Sequence, residues 1–146
     1  MSDLIGVLGT LACSLFTGAA IYINLVEHPA RLACCTEVAA RQWAPSYKRA
    51  TVLQVPLAIV STLAGVAQWL LGRGGAWLLG AVLIAAVVPF TLIVILPTNH
   101  QLLEPGRDNA SEQTRRLLMT WGRLHAVRSA LSLAATLVYL DALVRA

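Results

Sequence analysis

Four apolar stretches, each long enough to carry an α-helix across a bilayer, dominate the chain. A hydrocarbon core about 30 Å thick needs about 20 apolar residues of helix to cross. Residues 4–26 meet that length, with Ser14, Thr17, Tyr22 and Asn24 as the main polar interruptions. Residues 50–71 follow, uncharged but carrying Gln54, Pro56, Ser61 and Gln68. Residues 77–96 form a third run, which Pro89 is expected to kink. Residues 126–144 form the fourth, with Arg128 near its start and Asp141 near its end. The expected fold is all-α: one transmembrane four-helix domain over residues 1–146, up-down-up-down. The first run lacks a basic n-region and is long enough to span, so it reads as a retained helix and not a cleaved signal peptide.

Composition agrees. Hydrophobic residues make up 58% and charged residues 12%, against about 45–50% and 25% in soluble domains. The net charge of +4 falls between apolar runs, which favours orienting the chain in a membrane over binding nucleic acid. Cys13, Cys34 and Cys35 show no zinc-finger or disulfide-framework spacing.

Charge also orients the chain. The connections 27–49 and 97–125, with the start of the fourth span, hold Arg31, Arg41, Lys48, Arg49, Arg107, Arg115, Arg116, Arg123 and Arg128; the opposite side holds Arg73 and Arg145. The positive-inside rule then places both long connections in the cytoplasm and both termini outside, in an inner or plasma membrane. Arg73-Gly74-Gly75 reads as a tight turn. Residues 27–49 read as an extension past a bend at Pro29, then a loop through Trp43-Ala44-Pro45. The run Asn109-Ala-Ser-Glu112 resembles a capping box, so the fourth helix is expected to start near residue 109. Arg31, Arg41, Lys48, Arg49, Arg115 and Arg116 are expected as headgroup anchors, and Trp69 and Trp77 as belt aromatics.

His28, His100 and His125, all three histidines of the chain, fall at the cytoplasmic level. Glu27, Asn24, Asn99, Trp43, Tyr47, Gln54, Trp121 and Arg128 share it. Bundled helices about 8–10 Å apart bring such ends together. Trp121, His125 and Arg128 stand at i, i+4 and i+7 and share a face, which Ser132 and Thr136 extend. Asn24, His28 and Arg31 repeat the pattern on the first helix. Polar groups at membrane depth are costly and face the bundle interior. Asn24, Gln54 and Ser132 also suit plain interhelical hydrogen bonding, and Ser61 with Gly65 suits close helix contact.

The ordered set of motifs resembles the anthrone oxygenase-like family. It comprises Tyr22-Ile-Asn-Leu-Val-Glu27-His28-Pro29-Ala30, Trp43, Pro97-Thr98-Asn99 with Leu102, and Trp121-Gly-Arg-Leu-His125-Ala-Val-Arg128. The resemblance runs from the first helix to the fourth. It implies a small four-helix membrane protein, some of whose relatives oxidise anthrones to anthraquinones in polyketide biosynthesis, using dioxygen without an obvious organic cofactor. It carries over His28, Asn99, Trp121, His125 and Arg128; His100 departs from the pattern. In that scheme His125 is the base, with His28 second. Arg128 or Asn99 holds the oxyanion, and Trp121, Trp43, Tyr22, Asn24 and Gln54 line the substrate site.

Two other readings stand beside it. Imidazoles suit copper or iron, so His28, His100 and His125 with Glu27 could ligate a metal; haem between two histidines is a further version. A scaffold or small-molecule carrier would use the same cluster without chemistry, and transport by so few helices would require a homo-oligomer. The expected partners are the bilayer and a hydrophobic small molecule, with no nucleic acid.

Overall fold

A computed structural model describes residues 2–145. They form four antiparallel helical rods, each long and apolar enough to cross a membrane: Asp3–Ala33, Thr36–Leu70, Gly75–Leu102 and Glu112–Val144. The first rod comprises α1 (Ser2–Tyr22), a π turn (Ile23–Glu27) and α2 (His28–Ala33); the second is α3 (Thr36–Leu70). The third comprises α4 (Gly75–Phe90), a π turn (Thr91–Ile95) and α5 (Leu96–Leu102), and the fourth is α6 (Glu112–Val144). Each rod packs against the rods before and after it in the ring, and the fourth closes on the first. Both termini therefore lie at one end, where the Arg73 guanidinium pairs with Asp3. Large apolar side chains such as Leu25, Val52, Leu63, Ile93 and Leu137 face outward.

The two π turns share one cause. Pro29 and Pro97 each stand two residues beyond a π turn. A helical proline has no N–H and crowds the carbonyl four residues back. Those carbonyls belong to Leu25 and Ile93, the middle residues of the two turns. Widening the turn relieves the crowding, and the His28 and Leu96 N–H groups donate to the Ile23 and Thr91 carbonyls instead. Pro89 lies within α4, and the departure from α geometry comes after it.

Several boundaries differ from expectation. Residues 27–49 hold no long loop: only Cys34 and Cys35 separate two helices, and α3 runs through Pro45 and Pro56. Its first turns are held by packing of Trp43 and by side chains that bind across to α2, which outweighs the local cost of proline. The fourth helix starts at Glu112, not near 109. Its cap is Ser111, whose Oγ accepts from the Thr114 N–H at 3.2 Å. Gly72 and Gly74 take the positive φ values of 76° and 104° that the turn between α3 and α4 requires.

The core has two parts, one around Trp77 and Tyr139 that reaches the termini end, and one around Trp43, Leu118 and Trp121 towards the other end. At the termini end, Tyr139 inserts between Gly65 and Gly80 and donates to the Ser61 carbonyl at 2.9 Å. Trp77 packs beside it, 1% exposed, and is a core residue where a belt aromatic was expected. Trp69 is 43% exposed, as a belt residue would be. Nearer the middle, Thr17 and Thr136 hydroxyls share a bond of 2.9 Å across α1 and α6. A Cβ at position 65 would lie 2.0 Å from the Tyr139 hydroxyl and 2.9 Å from the Trp77 carbonyl. Gly65→Ala is therefore expected to destabilise the bundle by about 1–3 kcal/mol. Thermal unfolding in detergent measures this, and adding Tyr139→Phe, which removes the nearest atom, should recover part of the loss.

Candidate functional site

The π turn of the first rod places Asn24 against α6. The Asn24 Nδ2 donates to the Gly122 carbonyl at 3.0 Å, which fixes the amide so that Oδ1 faces the other way. That oxygen accepts from Ser129 Oγ at 2.6 Å and from His125 Nδ1–H at 2.7 Å. An amide oxygen cannot donate. The proton on His125 therefore sits on Nδ1, and Nε2 keeps its lone pair, with no protein partner among the described residues. His125 is 2% exposed.

His28 is bound differently. Its Nε2–H donates to the Leu118 carbonyl at 2.9 Å, and its Nδ1 accepts from the Arg31 guanidinium at 3.1 Å. Both nitrogens are engaged, so His28 positions its neighbours and has no lone pair to spare. A Cβ on Gly122 would meet the His28 ring at 2.6 Å, so only glycine lets the ring lie against α6. Gly122→Ala is expected to push His28 off the Leu118 carbonyl, shown by loss of the corresponding imidazole N–H resonance.

An aromatic stack joins these groups. Trp121 lies 4.8 Å from the His125 ring and 5.1 Å from the His28 ring, centre to centre. Trp43 meets it edge-on at 5.7 Å, and Tyr47 stacks on Trp43 at 5.2 Å. Arg31, expected as a headgroup anchor, is instead buried at 5% exposure. It donates to Glu27, Ser46, Gln42 and His28. Glu27 also accepts from Gln42 and Ser46, so its carboxylate is taken up in tying α2 to α3. Arg115, likewise expected at headgroups, donates to the Leu32 carbonyl at 2.9 Å and ties α6 to the end of α2.

Arg128 has a single hydrogen bond and no carboxylate partner among the described residues. Its Nη2 donates to Gln54 Oε1 at 2.9 Å, and its guanidinium lies 5.6 Å over the Phe16 ring. Its Nε and the Gln54 Nε2 are buried without a partner. Six of the seven acids pair with other arginines, and Asp108 accepts from the Ala110 N–H. Two linked cavities meet these donors. A narrow inner one of about 10 Å³ is bordered by His125, Trp121, Trp43, Arg31 and Ser46. A wider lateral one of about 260 Å³ lies between α3 and the third rod. Tyr47, Thr51, Gln54 and Arg128 border both.

The structure thus brings together His28, His125, Trp121, Trp43, Asn24, Gln54 and Arg128. It leaves out three predicted residues. Tyr22 is 56% exposed on the outer surface and lines neither cavity, because the π turn begins just after it. His100 is exposed on α5 beside Gln101 and Leu103, away from the other imidazoles. Asn99 is fully buried with both amide atoms unpartnered, yet borders neither cavity. No three of the histidine, cysteine and acidic side chains among the described residues group to hold a metal ion, and the four-ligand set of His28, His100, His125 and Glu27 does not form. What the sequence reading missed, Gln42 and Ser46, lay in or beside the segment taken as a loop, and Arg31 and Tyr47, placed at this level, were given no role in the site. The i, i+4 spacing of Gln42 with Ser46 and of Trp43 with Tyr47 was the signal of one continuous helix.

Comparison with known proteins bears on this geometry. Residues 43–138 match the family model described as anthrone oxygenase. An anthrone oxygenase of Claviceps purpurea is 30% identical over 143 residues, covering 88% of this chain and 82% of that protein. Anthrone oxygenase ptaC of Pestalotiopsis fici is 33% identical over 116 residues, covering 70% and 82%. Anthrone oxygenase tpcL of Aspergillus fumigatus is 38% identical over 78 residues, so the match spans 51% of this chain and about half, 48%, of that relative. No solved structure matches. The matched region holds Trp43, Gln54, Trp121, His125 and Arg128, and the chain belongs to the anthrone oxygenase family.

Proposed function

We propose that this protein is a membrane-embedded oxygenase that converts an anthrone-like polyketide to its quinone with dioxygen. One observation carries the reading: a buried imidazole with a free Nε2 lone pair borders the same cavity as a guanidinium that has no carboxylate partner. Base and anion holder are the two functions that oxidation of an activated methylene needs.

The CH₂ of an anthrone lies between two aromatic rings, opposite a ketone. His125 Nε2 takes one of its protons, and the charge moves onto the ketone oxygen, which Arg128 and the Gln54 Nε2 hold. The electron-rich anion passes one electron to dioxygen, and the radical pair joins at the same carbon. The imidazolium returns its proton to the peroxide. Loss of the second C–H proton with cleavage of the O–O bond then gives a ketone and water. The scheme uses substrate, dioxygen and side chains alone. Asn24 fixes the His125 tautomer, and His28 holds the Trp121 face in place. The uneven distribution of lysine and arginine, nine against two, supports a cytoplasmic location for this end of the bundle.

Oxygen uptake by purified protein in nanodiscs tests the proposal. A hydroxyanthrone should consume one dioxygen per quinone formed, at the same rate with and without a chelator. Uptake no faster than air oxidation of the free substrate would sink it. An activity lost on chelation and restored by one metal would replace the base scheme with metal chemistry.

A further inference from the structure

We propose that the lateral cavity between α3 and the third rod is the substrate chamber and opens to the bilayer, so that the flat ring system enters sideways from lipid with its oxygenated end leading. The inference rests on the oxyanion role given to Arg128 above. Size decides first. The inner cavity at His125, about 10 Å³, is at the lower limit for a single water. No tricyclic body fits there, although the aromatic residues that a sequence reading assigns to its walls, Trp43 and Trp121, line only this space. The lateral cavity is about 260 Å³ and is the space next to it.

Position decides second. Val55, Ile59, Val88 and Leu92 border the lateral cavity and are each about half exposed on the outer face of the bundle. Its mouth therefore opens through an apolar surface at the depth of the spans. Ala58 and Val87 form the buried back wall. The second π turn supplies Thr91 and Leu92 to the rim, so the widened backbone before Pro97 shapes the opening.

Polarity decides the orientation. At the inner end stand Arg128 and Gln54, whose Arg128 Nε and Gln54 Nε2 are buried donors without an acceptor. Unmet donors at the end of an apolar slot select a ligand that is flat and apolar over most of its length and ends in an acceptor oxygen, best an anionic one. A hydroxylated aromatic ketone has this shape. The oxygenated edge then lies at Gln54 and Arg128, which also border the inner cavity, and that cavity has room for one small molecule between the ring system and His125.

Equilibrium binding in phosphatidylcholine nanodiscs reads the chamber without turnover, using the inert product-like probe dihydroxyanthraquinone and anthracene, which lacks oxygen. Wild type should bind the quinone at least ten-fold more tightly than anthracene, and Arg128→Gln should erase that preference. Ala58→Phe and Val88→Phe, which fill the slot, should each weaken quinone binding ten-fold or more with unchanged thermal unfolding. Circular dichroism and size-exclusion elution identify a variant that has failed to fold; Val87→Leu, a smaller change on the same wall, then stands in and should weaken binding three-fold or more. Bulky variants that fold and bind like wild type overturn the proposal. So does displacement of the probe by oleate as effective as that by a second hydroxyanthraquinone, since the slot would then hold a lipid acyl chain. A protein that binds the quinone in this way but never oxidises an anthrone keeps the chamber and loses the oxygenase reading.

Discussion

His125→Gln is expected to lower anthrone oxidation by about 10²–10⁴-fold, the usual worth of a positioned general base. Glutamine keeps a donor for the Asn24 Oδ1, so the buried amide stays satisfied. It has no basic nitrogen to take the methylene proton. The loss should fall on kcat with KM and thermal unfolding close to wild type, because the side chain borders the narrow inner cavity and not the lateral one. Stopped-flow absorbance of the quinone product measures it. A variant that turns over at the wild-type rate places the base elsewhere. His28→Gln provides the contrast: with both His28 nitrogens already engaged, its effect should appear chiefly as lost stability.

Arg128→Gln is expected to separate activity from stability in opposite directions. Removing an oxyanion donor from an enclosed site costs about 10²–10³-fold in kcat. A buried cation without a carboxylate, in contrast, is a burden on the fold. The guanidinium here has one hydrogen bond to Gln54, a contact with Phe16 and an orphaned Nε. The variant should therefore unfold at the same temperature as wild type or higher while losing turnover. Arg128→Lys should recover part of the rate, since it restores the charge without the planar fork. Unfolding at a lower temperature would show that the arginine is structural after all. The opposite signs matter because a residue kept at a cost to stability is kept for what it does.

The two glycine contacts and the two histidines illustrate what could be read early and what could not. Sequence spacing put Trp121, His125 and Arg128 on one face of α6, and the structure aims that face at the cavities. Spacing put Arg31 on the His28 face, but it could not tell that the other His28 nitrogen would be spent on the Leu118 carbonyl, 90 residues away in the chain. Nor could it separate Arg31 from the other arginines. Local pattern assigns a cation near a helix end to the headgroups; only the approach of Gln42 and Ser46 on α3 turns it inward.

Apolar run length determined, by itself, four helices and the rods they form, because a backbone surrounded by hydrocarbon must satisfy its own hydrogen bonds. Motif order determined the family. The tertiary structure alone decided which polar groups became partners: it freed one nitrogen of His125, closed both of His28, turned Tyr22 and His100 outward, and left Arg128 with room before it. The physical reason is that pairing depends on rotation and depth of neighbouring rods, which the proline-driven π turns reset after the sequence pattern has been read.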